Sequence, residues 1–224
     1  MRTHAQWVAT LAPSLVTLSR STPIIADGDT EYGGPVMIRR SVQLFAHSGI
    51  AGLHIEDRVE DKMDKDKMNL TSIEDFVARV RAGVEGRNAM KSDLVIIVCT
   101  RALYKLGLDD AIRRLKAARG AGADMAFVTG VRSKEEAATV VREVGYPCLL
   151  NMTYGGPTPS ITVQEAAEMG YRAVIFPMAT ISPATKVMTD SLRSLKENGR
   201  MKEEDVATTE EVIKNWTMQA TTLI

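Results

Sequence analysis

A chain of 224 residues, 45% hydrophobic and 25% charged, has material for one domain with a sizeable core. Twenty-eight basic residues balance twenty-eight acidic ones, and no basic tract stands out, which speaks against a protein that binds nucleic acid by neutralising phosphate. No run of about eighteen apolar residues is present, so no helix is expected to span a membrane. The two cysteines, Cys99 and Cys148, have no metal-ligand spacing and suit a reducing compartment better than a disulfide framework.

In chain order, residues 1–22 hold Arg2, Arg20, several Ser and Thr, and no acid. Trp7, Leu11, Leu15 and Leu18 make an apolar stripe that predicts a helix leading into the first strand, although Pro13 interrupts it. The same composition fits a mitochondrial transit peptide, so the cytoplasm is the expected compartment and the mitochondrion the alternative. Six short runs of apolar and β-branched residues predict buried strands: Ile24 to Asp27, Gly52 to Glu56, Leu94 to Thr100, Met125 to Thr129, Cys148 to Met152 and Ala173 to Pro177. Helical patterns lie between and after them, at Val36 to His47, Ser72 to Val84, Asp109 to Arg119, Ser133 to Val144, Thr162 to Met169 and Pro183 to Asn198. Ser72 with Asp75, and the run Ser133-Lys134-Glu135-Glu136, are N-cap patterns, and glycines close several of the helices. The tail from 200 to 224 is expected to hold a helix around Glu210 to Trp216.

Strands alternating with helices mean βαβ units and a parallel sheet. No Gly-x-Gly-x-x-Gly follows a strand, so the dinucleotide-binding form of that fold lacks its fingerprint. Polar residues gather where strands end: Asp27 and Asp29, Glu56 and Asp57, Thr100 and Arg101, Thr129, Asn151 and Thr153. That is the arrangement of a (β/α)8 TIM barrel, whose site is built at the carboxyl ends of its strands. Only six βα units are visible, two short of a closed barrel. The domain reading is therefore one incomplete barrel over 1–224, with an N-terminal helix at 1–22, barrel units at 23–199 and a helical tail at 200–224.

Asp27 and Asp29 stand two apart at a strand end, so in extended backbone both point the same way, and Glu56 shares a face with His54 on the next strand. Carboxylates converging without cysteine or a histidine cluster suit a hard ion such as Mg²⁺, with Mn²⁺ as the alternative. Alternatively Asp29 caps a turn and Glu56-Asp57 is a solvated strand end. His54 is expected to pack inside the barrel.

These stretches resemble the isocitrate lyase and phosphoenolpyruvate mutase superfamily, in particular its methylisocitrate lyase branch. The pattern A-D-x-D-T-G-Y-G is matched by Ala26-Asp27-Gly28-Asp29-Thr30-Glu31-Tyr32-Gly33-Gly34, and G-x-H-I-E-D by Gly52-Leu53-His54-Ile55-Glu56-Asp57. Asn151-Met152-Thr153, Thr158-Pro159, Gly170-Tyr171-Arg172 and Ile175-Phe176-Pro177 are further landmarks, and the resemblance runs from about 22 to 196. It implies a Mg²⁺-dependent enzyme acting on a small α-keto or 2-hydroxy carboxylate through an enolate. Asp27, Asp29 and Glu56 would form the metal shell, while Tyr32, Gly33, Asn151 and Thr153 would face the substrate.

Departures accompany the matches. The lyase gate, Lys-[Lys/Arg]-Cys-Gly-His, has Lys62 for its first lysine but Asp64 at the cysteine and Asp66 at the histidine. Asp64 could move a proton only if a dry, closed site raised its pKa; otherwise the segment is a charged loop. Cys99 occupies the position of a substrate-binding arginine. Strand alternation puts Arg101 on the same side, one pleat further out, where it could supply the missing cation. Thr129 stands in place of a glutamate and Tyr154 in place of an acid. The first two βα units of the family, with a Ser-Gly clamp and a further aspartate, have no counterpart. The expectation is a divergent carbon–carbon lyase, possible in a specialised pathway as a tailoring enzyme. Its alternatives are a silent binding relative or a truncated product. An open barrel exposes strand edges, so a homo-oligomer is expected.

Overall fold

The computed structural model describes residues 11–17, 22–28, 33–59, 69–202 and 206–214. They fall into two compact units, Met1–Ile175 and Phe176–Ile224, within the span the sequence reading drew as one domain. The first unit opens with a helix over residues 11–17 (α1), followed by β1 (Ile25–Ala26), α2 (Pro35–His47) and β2 (Gly52–Glu56). Next come β3 (Arg58–Val59), β4 (Asn69–Leu70), α3 (Ile73–Ala89), β5 (Val95–Thr100), α4 (Ala102–Lys105) and α5 (Leu108–Gly120). β6 (Met125–Val128), α6 (Lys134–Val144), β7 (Cys148–Asn151), α7 (Val163–Glu168) and β8 (Ala173–Ile175) complete it.

All six predicted strands are present, and they pair in parallel in the order β1-β2-β5-β6-β7-β8. Each strand adds on the same side of the one before it, as a (β/α) barrel requires, so the fold is α/β with an incomplete barrel sheet. The strands read as apolar runs because helices cover one face and the barrel interior the other. Three elements escaped prediction: α4, and the two strands of the antiparallel pair β3–β4, which sets Arg58 against Leu70 and Val59 against Asn69. Two-residue strands and a four-residue helix are too short to show a periodicity.

Local end chemistry works as the sequence indicates. Ser72 Oγ accepts from the Asp75 N–H at 3.0 Å and Ser133 Oγ from the Glu136 N–H at 3.0 Å, satisfying donors that the first helical turn leaves unpaired. α3, which contains Gly83, nevertheless runs five residues past its predicted end at Val84, through Gly86. Those glycines let helices meet. A Cβ on Gly86 would stand 2.7 Å from the Arg39 carbonyl oxygen of α2, and one on Gly83 would stand 2.7 Å from the Ile55 Cδ1 atom. A backbone oxygen cannot swing aside as a side-chain end can. Gly86→Ala should therefore destabilise the protein by about 1–3 kcal/mol despite the better helix propensity of alanine, and Gly83→Ala by less. Chemical denaturation checks this; a Gly86→Ala protein as stable as the parent would contradict the close crossing.

The expected stripe on the first helix is corrected. Leu11 and Leu15 are exposed, whereas Ala12 is buried and Val16 lies against Gly49, so the docked face is Ala12 with Val16; Trp7 and Leu18 fall outside the described residues. In the second unit α8 (Ile181–Asn198) starts two residues before the predicted Pro183, which sits in the first turn where proline costs no hydrogen bond. It ends at Gly199 with φ +68°, and residues 209–214 form a further helix that the sequence placed from 210 to 216. Among the described residues no helix is long and apolar enough to cross a membrane.

Candidate functional site

The register decides which side chains share the inner face. Glu56 pairs with Cys99 and His54 with Ile97; Cys99 pairs with Phe127, Phe127 with Leu149, and Asn151 with Ile175. Neighbours in register on parallel strands point the same way, so His54, Glu56, Cys99, Phe127, Leu149 and Asn151 line one face. Ile55 and Asp57 point the opposite way, toward Gly83 on α3 and Arg114 on α5. Ile97, Cys99, Phe127 and Leu149 form an apolar cluster on the inner face, and the polar groups sit above it at the carboxyl ends.

Asp27 follows β1 and brings a carboxylate oxygen to 3.8 Å from His54 Nδ1. The His54 ring meets Phe127 edge-on, with centroids 5.7 Å apart, and its buried Nε2 has no hydrogen-bond partner among the described residues. His54 thus packs in the barrel, as expected, but touches the acidic rim as well. Glu56, at the end of β2, is only 4% exposed, and its carboxylate accepts a charge-assisted hydrogen bond from Arg101 Nε. Arg101 reaches it by a different route from the one predicted. β5 stops at Thr100, and Arg101 is the N-cap of α4 with φ −101° and ψ 8°, so the pleat argument does not apply to it. Burial by itself would lower the Arg101 pKa; the Glu56 carboxylate more than offsets this and raises it.

Behind the rim lies a buried polar network that the sequence did not reveal. Asp57 is fully buried and accepts from Thr100 Oγ1 at 2.6 Å, from the Arg101 backbone N–H at 3.1 Å and from Arg114 Nη1 at 3.3 Å. Arg114 also donates to the Thr71 carbonyl at 2.8 Å and, through Nε, to Asp110 at 2.8 Å. Asp57 therefore holds the turn from which the Arg101 side chain departs. The available signal was an arginine at 114 within the apolar stripe Ala111, Ile112, Leu115 and Ala118, four residues after Asp110. Tyr104 on α4 was also missed; its ring packs on Gly130, in the loop after β6, leaving no room for a Cβ there.

Cys99 is a structural thiol. Burial, and then the neighbouring Glu56 carboxylate, push its pKa well above the ordinary value, and Sγ lies 3.2 Å from Thr129 Oγ1. Cys148 is buried too, its pKa pushed up to about 11. Since the thiolate is the reactive form, the folded protein should leave an aromatic disulfide reagent unreacted near neutral pH. Unfolding in guanidinium should release two thiols; rapid reaction of the native chain would contradict the burial.

Thr153 Oγ1 donates to Asn151 Oδ1 at 3.1 Å, so these two expected substrate ligands form one unit on the β7 side of the rim. Gly33, exposed and two residues before α2, has φ +73°, which favours glycine. Asp29, Tyr32, Lys62 and Asp64 lie outside the described residues. Asp27 and Glu56 stand at the ends of the adjacent strands β1 and β2, and Asp27 meets His54 rather than Glu56 in the contacts described; Asn151, bonded to Thr153, stands three strands from Glu56, roughly 14 Å along the sheet. No group of three His, Cys, Asp or Glu side chains able to hold a metal occurs among the described residues. The described donors nonetheless suit a hard divalent ion, because Asp27 and Glu56 supply carboxylate oxygens from adjacent strand ends and the nearby thiol is neutral.

This carboxyl-end rim on a six-stranded parallel sheet has known counterparts. The sequence profile of the phosphoenolpyruvate phosphomutase family matches residues 3–196, and the chain belongs to that family. It is 35% identical over 192 residues to 2-methylisocitrate lyase of Aeropyrum pernix, covering 85% of this chain and 61% of that protein. It is 34% identical over 176 residues to 2,3-dimethylmalate lyase of Eubacterium barkeri, covering 78% and 60%. The chain thus spans about three fifths of the length of these curated relatives. A solved structure of oxaloacetate acetylhydrolase in complex with 3,3-difluorooxalacetate superposes with a TM-score of 0.86 at 36% identity, over 96% of this chain and 74% of that one.

Proposed function

We propose that this chain carries the site of a Mg²⁺-dependent carbon–carbon lyase acting on a small α-keto or 2-hydroxy carboxylate through an enolate. The observation that carries the reading is the buried Glu56 carboxylate at the end of β2, with the Arg101 cation against it and Asp27 at the end of the neighbouring strand. The relatives named above, lyases of methylisocitrate and dimethylmalate, support the same class. Asp27, Asp29 and Glu56 hold the ion, and Mn²⁺ would serve in place of Mg²⁺. A bound ion supplies Lewis-acid stabilisation of the charge that develops on the substrate oxygen next to the carboxylate. Arg101, Asn151 and Thr153, with Tyr32 and Gly33, bind and orient the substrate. Lys62 and Asp64 are the groups assigned to proton transfer, Asp64 standing at the cysteine of the lyase gate. Cys99 takes no part, because its thiol stays neutral.

A second reading, a catalytically silent binding relative, is favoured by one feature: a neutral thiol fills the arginine position while Arg101 occupies Glu56. Calorimetry with oxalate, an enolpyruvate mimic, separates the two. Binding that requires both Mg²⁺ and Asp29, and is lost in Asp29→Ala, is the expected result. No binding by folded protein would overturn the lyase reading and leave the silent one.

We further assign the chain to a homo-oligomer in the cytoplasm. β1 and β8 each have a single strand neighbour among the described residues, and unpaired edges promote association. Buried, unpaired cysteines suit a reducing compartment. A monomer in sedimentation would contradict the first assignment.

A further inference from the structure

We propose that Arg101 is a built-in competitor of the metal, a cation of the chain itself that occupies Glu56 and that a divalent ion must displace. The proposal rests on the reading of Asp27 and Glu56 as metal-binding carboxylates, and concerns what holds Glu56 before the ion arrives.

A carboxylate as buried as Glu56 is costly without a counter-charge. Cys99, its partner in register across β5, has no cationic form and offers no counter-charge. Arg79 approaches Glu56 too, but it donates to the main-chain oxygen at 3.3 Å and leaves the carboxylate alone. Arg101 is the guanidinium that meets the carboxylate itself.

The pair is built into the backbone. Asp57, the residue after Glu56, accepts from the backbone N–H of Arg101 and donates its own N–H to the Cys99 carbonyl at 3.1 Å. Thr100 Oγ1 donates to Asp57 and accepts from the Ala102 N–H at 3.1 Å. Arg114 anchors the Asp57 carboxylate from behind. These bonds hold the ends of β2 and β5 in a fixed relation, so the side chains of Glu56 and Arg101 start from positions that bring them together.

The Arg101 guanidinium offsets the Glu56 charge. A divalent ion at Glu56 faces a fixed positive charge as well as the loss of an existing ion pair, and both weaken its binding. Displacement has a second consequence: the released guanidinium can take a planar carboxylate in two parallel hydrogen bonds, so an anionic substrate and the ion favour each other's binding. Arg101 is 29% exposed, which screens its charge, so the competition is expected to be worth about tenfold in affinity rather than thousands.

The test measures binding of Mn²⁺ alone to the full chain, following free Mn²⁺ by electron paramagnetic resonance. Arg101→Gln should bind Mn²⁺ about tenfold more tightly than the parent. Arg101→Lys, which keeps the charge but loses the planar fork, should gain about two- to threefold. Arg142→Ala, which removes an exposed arginine on α6, should leave affinity unchanged and so controls for net charge. Unchanged or weaker binding in Arg101→Gln, with the parent still binding, overturns the competition while the carboxylate reading stands. An equal gain in Arg142→Ala also overturns it. If neither the parent nor the folded variants bind Mn²⁺, both the competition and the carboxylate reading fall. Circular dichroism reports folding, and should Arg101→Gln not fold, Arg101→Lys decides by the same criteria.

Discussion

Asp57→Ala should lower the free energy of unfolding by about 3–5 kcal/mol, the largest single-residue effect expected outside the hydrophobic core. Asp57 is fully buried and Arg114 is 7% exposed at its side chain, so removing the carboxylate leaves a guanidinium that water reaches poorly with one of its two carboxylates, Asp110. The Thr100 hydroxyl and the Arg101 N–H lose their acceptor at the same time. The Thr100 hydroxyl and the Arg101 N–H use different oxygens of Asp57, so Asp57→Asn keeps an acceptor for only one of them and loses the charge facing Arg114; it should still cost less than Asp57→Ala. Urea denaturation followed by circular dichroism measures both variants. A loss below about 1 kcal/mol for Asp57→Ala would mean that Arg114 finds other partners, and that the network does not hold the β5–α4 turn.

Glu56→Gln should weaken Mn²⁺ binding on the order of a hundredfold, at the upper end of the roughly ten- to hundredfold typical of changes in groups that only orient a metal ligand. Glutamine keeps the shape of the side chain but gives a hard ion one neutral oxygen in place of a carboxylate. Calorimetric titration of Mn²⁺ into parent and variant checks this. Equal affinity would show that the ion, if bound, does not use β2, and would remove Glu56 from the metal shell. The variant also leaves the Arg101 guanidinium without its carboxylate, so a modest fall in stability should accompany the loss.

Much of the architecture was legible because its causes are local. Apolar β-branched runs marked all six strands, and Ser72 and Ser133 marked helix starts through hydrogen bonds made within three residues. The helix–helix crossing at Gly86 was not legible. Glycine inside a helix reads as a weak point, and only the approach of the Arg39 carbonyl gives it a purpose. The first helix failed for a similar reason: Leu11 and Leu15 look like an inward stripe, but the small Ala12 and Val16 are the residues that fit against Gly49.

At the site the division is sharper. Alternation along a strand was enough to put His54 and Glu56 on one face, and the strand-end carboxylates pointed to the carboxyl end of the sheet as the candidate site. By itself, the sequence determined the order of elements, the parallel sheet, the acidic rim at Asp27 and Glu56, and the family to which they belong, because each depends on neighbours a few residues apart or on a motif. Only the tertiary structure decided what the rim charges do to one another. Glu56 and Arg101 are 45 residues apart, and Asp57 and Arg114 are 57 apart. Those pairs exist because strand register and a helix start at Arg101 bring the groups together, and a linear spacing carries no record of either.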